Sequence, residues 1–175
     1  QNEGRALEVL NLGRNSIADW GVINLAAALA GTHFRSDSWS AIPSSVLQLA
    51  KSTAEARWVS VQLGSLCLGR NNIGDGGLLH LGRALSVCEA VTRLDLGHND
   101  LSDTSLTVLQ AAQLAWCQHL CHLDLGTNQF GDTGLAAVAR AVSRSAKSLH
   151  LGSNRFSDDG LVALAAAFRG KGESE

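Results

Sequence analysis

One phrase recurs five times along the chain, and it limits the fold more than any other feature. It reads LEVLNLGRNSIADWG from Leu7, LGSLCLGRNNIGDGG from Leu63, VTRLDLGHNDLSDTS from Val91, LCHLDLGTNQFGDTG from Leu120 and AKSLHLGSNRFSDDG from Ala146. The shared pattern is L-x-x-L-x-L-G-x-N-x-(I/L/F)-x-D-x-G, and an Ala/Leu-rich stretch follows each copy. A unit this short cannot bury its apolar side alone, so neighbouring units must stack. The repeated asparagines are Asn15, Asn71, Asn99, Asn128 and Asn154, with spacings of 56, 28, 29 and 26. The first spacing is twice the second, which predicts a degenerate repeat over 30–62.

Within each copy, leucines alternate with other residues, the period of a strand with one buried face. Leu94 and Leu96 therefore point inward and Asp95 outward. Ile73, Leu101 and Phe130 turn the chain back toward the core. Asp19, Asp75, Asp103, Asp132 and Asp158 stand where a helix begins, and Asp is a favoured N-cap. Leu78, Leu81 and Leu85 continue at helical spacing. An amide at the asparagine position can both donate and accept hydrogen bonds, and Asn tolerates unusual turn backbone. The stacked asparagines are thus expected to form a structural ladder.

The pattern resembles the leucine-rich repeat family, and within it the ribonuclease-inhibitor-like, intracellular subclass. The resemblance covers about four-fifths of the chain. It departs from ribonuclease inhibitor itself, which alternates two repeat types, one with Cys at the Asn position; here every recognisable copy carries Asn. The resemblance implies an α/β solenoid: a short right-handed arc, with a parallel β-sheet on the concave side and α-helices on the convex side. Parallel strands lie about 4.8 Å apart while packed helices need about 8–10 Å, so the stack must bend. One domain of about six repeats is expected, at 7–29, a degenerate 30–62, 63–90, 91–119, 120–145 and 146–170, with a polar tail at 171–175. The stretch 31–62 lacks the L-x-L-x-x-N phrase. It keeps a helix-like portion with Ser44 or Ser45 as N-cap, and it holds Pro43, the only proline, with Trp39 and Trp58. A functional insertion is the alternative reading of it.

Net charge is −2, and the 14 lysines and arginines are scattered, which argues against nucleic acid as a partner. No apolar run reaches the roughly 18 residues of a membrane span. Four irregularly spaced cysteines point to an intracellular, reducing setting, cytoplasmic or organelle-internal. The chain opens Gln1-Asn2-Glu3 and contains no methionine, which suggests a piece of a longer protein.

Period two places two columns on the outward strand face: Asn11, Cys67, Asp95, Asp124 and His150, beside Val9, Ser65, Arg93, His122 and Ser148. Arg93, Asp95, His98, His122, Asp124 and His150 form the charged centre of a candidate protein-docking surface. Trp20, at a helix start, and Trp39 are candidate contacts at the edge, because exposed tryptophan often marks an interface. An acid/base pair or metal site at Asp95 and Asp124 is disfavoured, since an open face neither excludes water nor shifts a pKa. WCQHLCHL at 116–123 looks like a zinc cluster, but the repeat register scatters Cys117, Cys121 and His122, and a second ligand pair is missing. GRNNIGDGG at 69–77 lacks the Gly-Lys-Ser/Thr of a phosphate loop. No cofactor or metal is expected.

These features suggest a non-catalytic protein-interaction module or scaffold, as a fragment or a fixed subunit of a larger assembly. Its end repeats would be covered by missing chain or by a neighbouring subunit. The alternative is an enzyme regulator such as a GTPase-activating protein, with Arg14 and Arg70 at strand-end loops.

Overall fold

The computed structural model describes residues 7–30, 63–86, 88, 90–111, 119–141 and 146–169. Trp39, Trp58, Pro43, Ser44, Ser45, Cys117 and the 171–175 tail lie outside the described residues. Five short strands alternate with five helices among those described. They are β1 Val9–Asn11, α1 Asp19–Ala30, β2 Ser65–Cys67, α2 Asp75–Leu85, β3 Arg93–Asp95, α3 Asp103–Ala111, β4 His122–Asp124, α4 Asp132–Ala141, β5 Ser148–His150 and α5 Asp158–Arg169.

The strands form one parallel sheet in the order β1-β2-β3-β4-β5. Their central leucines align across it, Leu10 with Leu66, Leu94, Leu123 and Leu149. Those side chains face the helices; Leu66 and Leu94 are fully buried, with Leu68, Leu96 and Leu125 after them. Ile73, Leu101 and Phe130 close the turns into the same core, and Leu78, Leu81, Leu106, Leu109, Leu135 and Val138 reach it from the helices. Phe130 and Phe156 stack across two repeats at 6.2 Å between ring centroids. The result is a solenoid arc with strands inside and helices outside.

β1 and β2 pair directly, and Ala18 bridges to Asn72. The repeats carrying Asn15 and Asn71 are thus adjacent rungs of the sheet, although 56 residues separate their asparagines. The degenerate repeat expected over 30–62 lies, beyond Ala30, outside the described residues.

Two ladders join the repeats. Nδ2 of Asn99 donates to the Leu96 carbonyl of its own repeat at 3.0 Å and to the Leu68 carbonyl of the preceding one at 3.1 Å. Its Oδ1 accepts the Ile73 N–H at 3.0 Å. Asn71 and Asn128 do the same one repeat earlier and later. All three are buried. The unusual backbone, however, is not at the asparagine. It belongs to the residue before: Arg14, Arg70, His98, Thr127 and Ser153 all have φ between 53 and 60°. There each of the first four donates its N–H to the glycine carbonyl of the next repeat, at 2.7–2.9 Å.

The second ladder corrects the expected N-caps. Each repeated aspartate is the first helical residue, and the carboxylates of Asp19, Asp75, Asp103 and Asp132 serve the next repeat's helix. Asp19 accepts the Gly74 N–H at 2.6 Å, and Asp103 accepts the Gly131 and Gly134 N–H groups at 2.8 and 2.9 Å. Asp132 accepts those of Ser157 and Gly160 at 2.7 and 3.0 Å. Asp75 accepts the Ser102 N–H and the hydroxyls of Ser102 and Ser105. Orphan donors at the starts of α2, α3, α4 and α5 are thus satisfied from the neighbouring repeat. The glycine two residues after the aspartate makes room: a Cβ on Gly77 would stand 2.8 Å from Asp19 Oδ1, and one on Gly134 would collide with Asp103 Oδ1.

Candidate functional site

The sheet's outward face carries both columns in the register that period two implies. Asn11, Cys67, Asp95, Asp124 and His150 are successive partners, as are Val9, Ser65, Arg93, His122 and Ser148. Asp95, His98, Asp124 and His150 line one groove of about 380 Å³, whose rim includes Arg14 and Arg70. Arg93 and His122 line an adjoining hollow of about 420 Å³, which shares Asp95, Asp124 and His150. Trp20 stands apart from both, exposed at the start of α1 on the first repeat. Trp39 lies outside the described residues.

The central column is partly occupied by its own hydrogen bonds. Asp95 Oδ1 accepts the Gly97 N–H at 2.9 Å, and Asp124 Oδ1 accepts the Gly126 N–H at 2.8 Å. Asn11 braces Gly13 in the same way. The signal was present in the sequence as an Asx residue two positions before a glycine, the spacing of a local side-chain turn. These glycines keep negative φ. They are small because the next strand's carboxylate or imidazole leans over them: a Cβ on Gly69 would meet Asp95 Oδ1 at 2.7 Å, and one on Gly126 would meet His150 Cε1 at 2.9 Å.

The second oxygens point along the column. Cys67 donates its thiol to Asp95 Oδ2 at 3.1 Å. Burial, with the Asp95 hydrogen bond and charge, pushes that thiol above its ordinary pKa. It therefore stays protonated at neutral pH, unlike the thiolate that nucleophilic chemistry needs. His150 Nδ1 lies 3.0 Å from Asp124 Oδ2. The hydrogen bond to Asp124 holds the imidazole above its ordinary pKa, and the pair is a solvent-exposed one. Among the described residues, no three His, Cys, Asp or Glu side chains are grouped closely enough to hold a metal ion. Of the zinc-like stretch, Cys121 is a half-buried free thiol and His122 lies on the sheet face. Cys117 lies outside the described residues.

What the arrangement offers is a broad, open strip of side chains on a rigid frame. Donors, acceptors and both signs of charge alternate along it, while the helices cover the opposite side of the sheet. A stacked arc with one open, variable face is the architecture of a repeat-solenoid binding domain. Four stretches, residues 5–26, 87–109, 117–139 and 144–165, match the Leucine Rich repeat family model. These cover half of the chain, which belongs to that family. Domains of the family are generally protein-interaction modules and are typically not catalytic. Among solved structures, the chain is similar to an internalin from Listeria monocytogenes, at 24% identity and a TM-score of 0.36, over 59% of this chain and 33% of that one. The chain thus spans about a third of that protein's length. Comparison with curated proteins returns no match. Among the described residues, no helix is long and apolar enough to cross a membrane.

Proposed function

We propose that the concave face is a docking surface for another protein and that the chain acts as a non-catalytic scaffold in the ribonuclease-inhibitor-like arrangement. One observation carries this reading: every invariant position is committed to the framework, whereas the side chains that vary from repeat to repeat are gathered on one open face. Arg93, His98 and His122 are the strongest candidate contacts, because no hydrogen bond ties their side chains among the described residues. Asp95, Asp124 and His150 supply fixed acceptors and charge beside them. Mixed charge on a pre-organised surface favours register and specificity in a protein partner. The scattered basic residues and net charge of −2 argue against nucleic acid. We place the protein inside the cell, because its four cysteines are irregularly spaced and Cys67, Cys88 and Cys121 are free thiols, the pattern of a chain from a reducing setting.

The test compares partner capture by the wild-type chain and an Arg93→Glu, His98→Glu, His122→Glu variant. The expected result is loss of the partner with an unchanged melting temperature. Retained capture would move the site away from this face, and a Trp20→Ser variant would then examine the edge. The rival reading as a GTPase activator rests on Arg14 and Arg70, both exposed on the groove's rim. Stimulated GTP hydrolysis that disappears in Arg14→Ala or Arg70→Ala would favour it over the scaffold.

A further inference from the structure

Acceptors and donors on the concave face differ in how far their bonding is already complete. Asp95 and Asp124 are half-buried, and each of their carboxylate oxygens has a partner. Oδ1 accepts the N–H of the local turn, Gly97 or Gly126. Oδ2 meets the Cys67 thiol in one case and the His150 imidazole in the other. Both carboxylates also lie back over the preceding rung: a Cβ on Gly69 would stand 2.7 Å from Asp95 Oδ1, and one on Gly97 3.0 Å from Asp124 Oδ1. The donors have no such ties. Arg14, Arg70, Arg93 and His98 are exposed and His122 is half-buried. Among the described residues, none of these five side chains makes a hydrogen bond or ion pair.

The five donors form two rows that flank the carboxylates. Arg14, Arg70 and His98 occupy the same place on three successive rungs. Each has positive φ and gives its N–H to the glycine carbonyl of the next rung, so the backbone that carries the row is fixed. Arg93 and His122 are direct partners in β3 and β4. Rungs of a parallel sheet lie about 4.8 Å apart, so neighbouring donors in a row can meet successive groups of one chain segment. Among the residues lining the two hollows, the three arginines Arg14, Arg70 and Arg93 face the two carboxylates Asp95 and Asp124, before any histidine is protonated. The hydrogen bond to Asp124 holds the His150 imidazole above its ordinary pKa, which further offsets that carboxylate. The face is therefore positive although the chain carries −2. Four other aspartates, Asp19, Asp75, Asp103 and Asp132, stand at helix starts and serve the next repeat there.

We propose that the concave face takes an acidic segment of a partner protein, whose Asp or Glu carboxylates lie on the two rows of Arg and His donors. This rests on the reading of the face as a docking surface and adds the partner's chemistry to it. Guanidinium and carboxylate form strong, often bidentate bonds, and Arg70 and Arg93 present that fork from a rigid frame. A basic segment is disfavoured because the acceptors it needs are already bonded. A free anion is disfavoured because the donors are exposed around open hollows and do not enclose a small ion. Neither hollow is lined by Trp, Phe or Tyr, so the bases of a single-stranded nucleic acid find no stacking platform.

The test titrates the full chain into fluorescein-labelled alternating Glu-Gly, Lys-Gly and Gln-Gly peptides and oligothymidylate, with fluorescence anisotropy as the readout. The Glu-Gly peptide is expected to bind most tightly, and to weaken about tenfold as salt rises from about 50 to 300 mM. Arg70→Glu and Arg93→Glu should each weaken it by about tenfold. Arg140→Glu, at an exposed position on α4, should leave it unchanged. Circular dichroism melts check that each variant folds, and if one does not, the other must still show the loss. Equal binding of Glu-Gly and Gln-Gly, tighter binding of oligothymidylate, or no loss in a folded Arg70→Glu or Arg93→Glu variant would each overturn the proposal. A Lys-Gly peptide whose binding is lost in Asp124→Asn would overturn the acidic assignment but keep the face as a docking surface. So would a face that binds no peptide while the Arg93→Glu, His98→Glu, His122→Glu variant loses the captured partner. No peptide bound and capture unchanged in that variant would remove both readings.

Discussion

The asparagine and aspartate ladders join the same repeats, but in opposite directions and in different surroundings. Asn71, Asn99 and Asn128 reach back to the preceding repeat from fully enclosed turns beneath the sheet's end. Asp19, Asp75, Asp103 and Asp132 reach forward from helix starts that water still touches. A neutral amide suits the first site, since a buried charge would need a partner that the turn does not provide. A carboxylate suits the second, where it faces N–H donors at the positive end of a helix. The difference separates one ladder without a titratable group from one in which Asp75 and Asp132, both held below their ordinary pKa by hydrogen bonds, weaken in acid.

The largest effect is expected in the buried ladder. Asn99→Ala removes the acceptor of the Ile73 N–H and the donor to two carbonyls, and each buried group left unpaired costs about 1–3 kcal/mol. A loss of about 3 kcal/mol in urea unfolding is the expected total. If the loss were below that of an aspartate substitution, burial would not be what distinguishes the two ladders.

Gly134→Ala comes next, since its Cβ would collide with Asp103 Oδ1 and stand 2.8 Å from Phe130 Cβ. Overpacking typically costs about 1–3 kcal/mol, partly offset by the helix preference of alanine. A net loss of about 1–2 kcal/mol is expected in the same assay, and a gain would mean that the aspartate is free to move aside.

Asp75→Ala should cost about 1–2 kcal/mol at neutral pH, from hydrogen bonds to a charged group. Its pH dependence has a definite sign. Burial pushes the Asp75 pKa up, but the hydrogen bonds from Ser102 and Ser105 outweigh it and leave the carboxyl below its ordinary value. A group depressed in the folded state stabilises above its unfolded pKa and loses that contribution as pH falls through its folded one. The wild type should therefore lose stability in acid more steeply than Asp75→Ala, while Asn99→Ala keeps the wild-type acid slope. Parallel acid slopes for wild type and Asp75→Ala would remove the distinction.

The smallest effect has the opposite sign. Thr127 holds φ at 53°, a conformation costly for a β-branched residue. Thr127→Gly should stabilise by roughly 0.5 kcal/mol after the entropy of glycine is counted. A destabilised variant would show that the Thr127 side chain contributes packing or bonding of its own.

Much of this was legible in the sequence because it follows from period. Alternating leucines place Asp95 and Asp124 side by side on the outward face, and a polar residue repeated after every strand announces a turn that needs bonding. Other features were hidden because chain spacing does not encode them. An aspartate at a helix start reads the same whether it caps its own helix or its neighbour's; only the stacking of Asp103 against Gly131 and Gly134 reveals the second. Positive φ falls on Arg14, Arg70, His98, Thr127 and Ser153, residue types that carry no common signal for it. The doubled spacing between Asn15 and Asn71 gives no sign that β1 and β2 are direct neighbours in the sheet. The docking face was legible as a surface, but the bonds that tie Asp95 and Asp124 to their own turns leave Arg93, His98 and His122 as its freer members.

The central claim is that the repeated asparagine stabilises by joining buried turns of adjacent repeats. Asn15 and Asn99 occupy the same place in the pattern, but Asn15 is exposed and bonds only within its own repeat, whereas Asn99 bonds across two. Urea unfolding of Asn15→Ala and Asn99→Ala measures the difference directly. The account predicts about 3 kcal/mol lost for Asn99→Ala and less than about 1 kcal/mol for Asn15→Ala, where water replaces what is removed. Equal losses at the two positions would contradict it.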